Sequence, residues 1–443
     1  MIARLRSFWL SVNASYWFYP AIFSLAAAAL AFFTVYLDRN GLAEWLNEIS
    51  WLHASRPEGA RTVLTVIAGS MIGVASTVFS ITIAAVAYAS GNYGPRLLTN
   101  FMQDKGNQLS LGTFIATFVY AVLVLRVVRS EDERPSDAID AGATALPGFT
   151  PQLSLLVATV MVMIAIAVLV FFLHHIPDSI RINTVLKGIG RRMLEQIRYR
   201  FPNERGDEEP SERDEGTPVR ADFSGYIQII DFENLDEIAK DRGCTIGLRQ
   251  RTGDFVHLGV PLAEISGREP DDDLCDDIRK CFSVGGMRTP TQDLEFLFDE
   301  IVEIALRALS PGINDPFTAI TCMHWLAAGM AELGNRDLDR GPEQETYDRE
   351  RVKPLNDDFG HFVQRGFGGI RASAAGSAMA SKKFIDALYS ASLGCTNGER
   401  RQRLLDEGRL LVEQARTTLK GPSLIELEDR LKEFERTILD MRD

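Results

Sequence analysis

Four long apolar runs, near residues 17–37, 62–90, 109–128 and 153–173, precede residue 175, and none follows it. About 20 consecutive apolar residues cross the hydrocarbon core of a bilayer as one helix. This feature predicts a mixed membrane and soluble chain: a four-helix α-helical transmembrane bundle followed by a cytoplasmic α+β region. The expected divisions are 1–175 for the four spans, 176–201 for an amphipathic connector helix and 202–219 for an acidic flexible linker. A small β-rich module over 220–287 and an α-helical cytoplasmic domain over 288–443 complete the chain.

Charge is distributed just as unevenly. The chain holds 47 Lys/Arg and 60 Asp/Glu, of which the first 175 residues hold ten of each, so the later part carries the whole excess of −13. An acidic soluble part argues against nucleic acid as a partner, because phosphates need a basic face. All five cysteines (Cys244, Cys275, Cys281, Cys322, Cys395) lie in that later part, irregularly spaced. Scattered thiols of odd number fit a reducing compartment and read as small buried hydrophobes; no metal site or cofactor is expected.

Basic residues set the expected orientation, since short Lys/Arg-rich loops stay on the cytoplasmic side. Arg181, Lys187, Arg191, Arg192, Arg198 and Arg200 follow the fourth run directly, and Arg4 with Arg6 precede the first. Both termini are therefore expected in the cytoplasm, with the first helix an uncleaved anchor. Residues 2–13 read as a segment lying on the membrane surface. Trp9, Tyr16, Trp17 and Tyr19 mark one interface, and Trp45 with Trp51 lie in the first outer loop. Arg126, His174 and His175 read as interfacial anchors.

The second run differs from the others by its small and hydroxylated residues. Thr62, Thr65, Gly69, Gly73, Ser76, Thr77 and Ser80 recur at helical spacing, and no charge interrupts them. Small residues four apart let another helix backbone approach closely. Three readings stay open: packing inside the bundle, a contact between subunits, or a hydroxyl-lined path for ions. A charge-coupled carrier needs an intramembrane carboxylate or His, so the lack of charge favours a passive path over an active transporter.

In the soluble part, Ile182, Leu186, Ile189, Met193 and Ile197 give residues 180–201 one apolar face, suited equally to anionic lipid and to the soluble domain. Residues 203–218 are acidic and proline-containing and read as a linker. The segment GDFVHLGVPLAEI is similar to part of the lipoyl or biotinyl carrier fold but lacks the modifiable lysine, so it reads as a packing or assembly module. Glu295, Asp299 and Glu303 form an acidic row at helical spacing, either solvated and paired along the helix or attracting cations near a pore mouth. In Ala308–Ala319, Gly312 ends one helix, Asp315 caps the next and Pro316 takes its first position. Asn314 and Asp315 also remain open as ligand groups. Leu424, Leu427, Leu431, Phe434, Ile438 and Met441 form the seam of a last helix.

GPRLLTNFMQDKGNQLSLGTFIATFVYAVLVLR (94–126) and RTPTQDLEFLFDEIVEIALRALSPGINDPFTAI (288–320), with the YWFYP opening, resemble the bacterial predicted membrane protein family known as domain of unknown function 2254. One departure is Gly94, where a serine is expected before Pro95. The resemblance implies an architecture and no established activity. Glycines 366, 368 and 369 are too irregular to cradle a phosphate, and no nucleophile constellation stands out, so no enzymatic role is expected. The expected partners are the lipid bilayer, further copies of this chain and inorganic cations. A passive pore with a cytoplasmic vestibule and a non-conducting membrane-anchored scaffold, assembly or sensor protein are the two readings carried forward.

Overall fold

The computed structural model describes residues 15–42, 56–94, 104–130, 148–201, 216–338, 347–348, 350–355 and 358–440. The surface segment 2–13, Trp45, Trp51, Met441 and most of the linker lie outside them. The chain divides into two compact units, one of residues 11–91 and 95–181, the other chiefly Ile182–Asp443.

Among the described residues the first unit holds four helices: α1 (Phe18–Arg39), α2 (Pro57–Tyr93), α3 (Lys105–Leu125) and α4 (Gln152–Ser179). Each is long and apolar enough to cross a membrane. Their shared core contains Leu64, Phe114, Tyr120, Ala121, Val124, Ala165 and Phe172. Large apolar residues also cover the outside, among them Leu25, Phe32, Val66, Met163, Val170 and Leu173. Such a surface is unfavourable in water and favourable in lipid.

Hydrogen bonds pin the helices where apolar packing alone would let them slide. Asp38 near the end of α1 accepts from the backbone N–H of Leu153 (2.9 Å) and Ser154 (3.0 Å) and from the Ser154 hydroxyl (2.7 Å), capping α4. The Tyr120 hydroxyl of α3 lies 2.8 Å from Thr34 Oγ1 of α1 and donates to the Ser154 carbonyl. At the start of α3, Asp104 caps the helix by accepting from Asn107 N–H (3.0 Å).

In the second unit, α5 (Ile182–Arg200) leads to β1 (Thr217–Arg220), β2 (Gly225–Ile230), α6 (Phe232–Arg242), β3 (Thr245–Leu248), β4 (Phe255–Val256), β5 (Pro261–Ser266), α7 (Asp272–Lys280) and β6 (Phe282–Gly285). With β7 (Val352–Lys353), the strands form two small sheets, ordered β1-β5-β3-β7 and β4-β2-β6. Ile227 of β2 and Leu262 and Ile265 of β5 form a buried core with Ile246, Leu274 and Ile278. Gly253 (φ 97°) and Gly259 (φ 88°) make the turns either side of β4, in a conformation that favours glycine.

Two boundaries differ from expectation. Strand β1 starts at Thr217, inside the segment assigned to the linker, because Thr217–Val219 pair with β5. Strand β7 (Val352–Lys353) comes from a charged stretch beyond the module and pairs parallel with β3, Ile246 opposite Val352. The β-module therefore takes its last strand from the helical part, and the two belong to one unit.

The helices that follow are α8 (Leu294–Ala308), α9 (Pro316–Gly334), α10 (Phe359–Val363), a π-helical turn (Gln364–Gly368), α11 (Gly369–Ala375), α12 (Ala378–Leu393), α13 (Gly398–Ala415) and α14 (Pro422–Asp440). Of the expected seam, Leu427, Phe434 and Ile438 are buried, and α14 packs against α12 and α13 within the chain.

The connector helix α5 is docked on this unit. Its buried face is Leu186, Ile189, Gly190, Met193 and Ile197, packed on α8 and α9. Gly190 lies flat against the Trp325 ring, where a Cβ would overlap it. Arg198 forms a bidentate pair with Glu332, both contacts at 3.1 Å.

Candidate functional site

The second apolar helix has two contrasting faces. Ala60, Leu64, Ile67, Ala68, Met71, Ala75 and Val78 are buried in the core. Thr62, Thr65, Gly69, Gly73, Ser76, Thr77 and Ser80 are all exposed. A Cβ added at Gly69 or Gly73 would meet nothing within 4 Å. Packing inside the bundle is thus the work of the aliphatic face, whose larger side chains bury more surface, and not of the small-residue stripe. Three hydroxyls of the stripe donate to their own helix: Thr62 to Glu58 O (2.9 Å), Thr77 to Gly73 O (3.0 Å) and Ser80 to Ser76 O (2.9 Å). Their protons are engaged, so the outward face presents oxygen lone pairs.

The acidic row on α8 is a different object from the one its spacing suggests. Asp299 accepts both Nε and Nη2 of Arg365 at 2.8 Å and pairs with Arg288 as well. Glu295 meets Arg365 at 2.6 Å, His361 Nε2 at 2.9 Å and Arg251 at 3.9 Å. Glu303 pairs along the helix with Arg307 at 3.7 Å. Burial works to raise the Asp299 pKa, but Arg365 and Arg288 outweigh it and hold the carboxyl below the usual range. Asp293 is more enclosed, and there burial prevails over Arg288 and raises the carboxyl. The row is therefore charge-compensated and half-buried, and offers little free negative potential. Gly366 and Gly368 lie in the π-helical turn that carries Arg365. Such turns insert one extra residue and re-aim a side chain.

The motif around Asn314 is a helix cap. Asp315 Oδ1 accepts from Thr318 N–H (3.1 Å) and Oδ2 from the Thr318 hydroxyl (2.6 Å), engaging both carboxylate oxygens. Asn314 has φ 49°, alone among the described non-glycine residues, a region asparagine tolerates. Its N–H donates to Ser310 O at 2.9 Å, closing the turn.

His175 is more than an interfacial anchor. Its Nε2 lies 2.9 and 3.0 Å from the two oxygens of Asp104, so one carboxylate caps α3 and ties it to the end of α4. Gly106 makes room, since a Cβ there would come within 2.7 Å of that nitrogen. All five cysteines are free thiols. Burial raises each of them, Cys281 to about 12 and Cys395 to about 11, which makes them poor nucleophiles.

These features define a protein with four consecutive helices fit to cross a bilayer, followed by a mixed helical region with small sheets. The chain belongs to the family described as predicted membrane protein (DUF2254), whose model matches residues 13–390. It is similar to uncharacterized protein Rv1290c of Mycobacterium tuberculosis and to uncharacterized protein Mb1321c of Mycobacterium bovis. Each is 30% identical over 374 residues, covering 81% of this chain and 68% of the relative. No solved structure matches the chain significantly.

Proposed function

We propose that this is a homo-oligomeric inner-membrane protein whose copies meet along the exposed face of α2, bordering a passive pathway for inorganic cations. The carrying observation is the outward stripe Thr62, Thr65, Gly69, Gly73, Ser76, Thr77 and Ser80, unused by the bundle and with the hydroxyl protons of Thr62, Thr77 and Ser80 bonded to their own helix. Oxygen lone pairs stabilise partly hydrated cations without the trapping a carboxylate would cause. Both termini and the region from Ile182 onward are assigned to the cytoplasm on the basic cluster after α4. No catalytic role is proposed.

The compensated acidic row favours a second reading, a non-conducting membrane-anchored scaffold, because a vestibule without free negative charge does not concentrate cations. Purified protein in planar bilayers separates the two. The pathway reading expects a current that the Ser76→Leu/Ser80→Leu variant reduces. Silence across voltage, pH and several cations favours the scaffold, and a current indifferent to the double substitution removes α2 from the pathway.

A further inference from the structure

Where α3 begins, the interior of the four-helix unit is polar. Asp104 is held by His175 Nε2 at 2.9 Å and by the Asn107 N–H at 3.0 Å. Asn107 is 1% exposed, yet its side-chain oxygen meets no donor among the described residues. Thr82 of α2 is equally enclosed and gives its own proton to Val78 O at 2.9 Å, so it faces its neighbours with lone pairs. Tyr16, just before α1, lies beside Thr82 and within the field of Asp104, and no described donor reaches its oxygen. A buried acceptor in this state has lost its hydration and gained nothing in exchange.

Helix geometry aims the Asn107 amide at the other two oxygens. Gly106 faces His175 of α4, and Gly112 faces Phe23 of α1. Successive residues turn by about 100° around a helix, so Asn107 points about 100° from the first direction and about 140° from the second. That is the side of α3 left to α2. The level agrees. Arg61 of α2 donates to Val128 O at 2.9 Å just past the end of α3, while Thr82 lies near the start of α3 through Tyr16, so α2 and α3 are antiparallel. Counting the same number of residues back from Val128 and on from Arg61 brings Asn107 level with Thr82, to within about one turn.

We infer that Asn107 Oδ1, Tyr16 Oη and Thr82 Oγ1 bind a monovalent inorganic cation, with Asp104 supplying the balancing charge. Hard cations take oxygen ligands, and all three groups offer oxygen. A single carboxylate beside neutral oxygens balances a single positive charge. Among the described residues no three His, Cys, Asp or Glu side chains gather as a site for a more highly charged ion would need. Lys105 does not fill the role: it is exposed, with its ammonium over the Tyr19 ring at 4.3 Å. The site lies within one chain and needs neither a second copy nor the outward stripe of α2.

The test uses the full chain purified in detergent micelles, with radioactive sodium ion as the probe and choline holding the ionic strength. Binding is read by scintillation proximity, with unlabelled sodium, potassium and lithium as competitors. The expected result is saturable binding of one ion per chain, lost in Asn107→Leu. Tyr16→Phe and Thr82→Val each remove one oxygen and keep the shape of the side chain, and each should weaken binding several-fold. Should Asn107→Leu fail to give a monodisperse protein, these two isosteric variants decide. No saturable binding or competition by any of the three ions overturns the inference, as does binding that both isosteric variants leave unchanged. Binding lost in Ser76→Leu/Ser80→Leu but kept in Tyr16→Phe and Thr82→Val also overturns it, and moves the ion to the outward face of α2.

Discussion

Gly190→Ala and Gly188→Ala, two residues apart on α5, should have opposite effects. Alanine gains about 1 kcal/mol over glycine in a helix interior. At position 188 nothing lies within 4 Å of the new Cβ, so that gain is realised. At position 190 the Cβ would overlap the Trp325 ring, a rigid body that cannot swing aside as a flexible side-chain tip would. Overpacking of this kind costs roughly 1–3 kcal/mol, so the net change runs from about zero to a loss of about 2 kcal/mol. The two variants should therefore differ by roughly 1–3 kcal/mol in the local stability of α5, and one or two kcal/mol is about 5- to 30-fold in an opening equilibrium. Hydrogen exchange of α5 peptides in the full chain, read by mass spectrometry, measures this without assuming that both units unfold together. Equal or slower exchange in Gly190→Ala than in Gly188→Ala would refute the packing of α5 on α9.

Asp299 supplies a pH dependence of known sign. Its folded pKa lies below the unfolded value, so its contribution is present at neutral pH and is lost as pH falls through the folded value. Asp293, raised by burial, works in the opposite direction. Asp299→Asn should lower stability at neutral pH and flatten the acid limb of an unfolding-versus-pH curve; an acid slope identical to the parent's contradicts the assignment. For topology, reporters in the 38–61 and 129–152 loops should read as external and those after residue 180 as cytoplasmic. An external C-terminus reverses the orientation.

What the sequence made legible was whatever is encoded locally. The four apolar helices, the Asp315 cap with Pro316 behind it, and the amphipathic face of α5 each follow from residues within one or two turns. Partnerships across the chain were not legible. Asp38 caps a helix 115 residues later, and Asp104 meets His175 71 residues on. The acidic row carried a helical spacing that suggests a solvated face, and nothing local revealed that Arg365 would reach Asp299 and Glu295 from a π-helical turn. Its one available signal was the Gly366/Gly368/Gly369 cluster, which reads as a loop unless a helix insertion is considered. Strand β7 escaped because two residues in a charged stretch carry no alternation, and only β3 beside them makes a strand.

The stripe on α2 is decided by its glycines rather than its hydroxyls. A serine or threonine bonded back to its own helix can face lipid at little cost, so Thr62, Thr77 and Ser80 alone would not require a neighbour. Gly69 and Gly73 are different. In water each costs the helix about 1 kcal/mol relative to alanine, and within one chain neither returns it through any contact. A close backbone approach from another copy is what would offset that cost. Gly69→Leu/Gly73→Leu should then leave the helices of the monomer intact, since both side chains enter open space, while shifting the protein toward monomer in mass photometry of nanodisc-embedded samples. Leu111→Ile, within the bundle core, should do the reverse and leave assembly unchanged. If the double variant assembles as the parent does, or the parent is monomeric throughout, the face of α2 belongs to lipid and the proposed contact is gone.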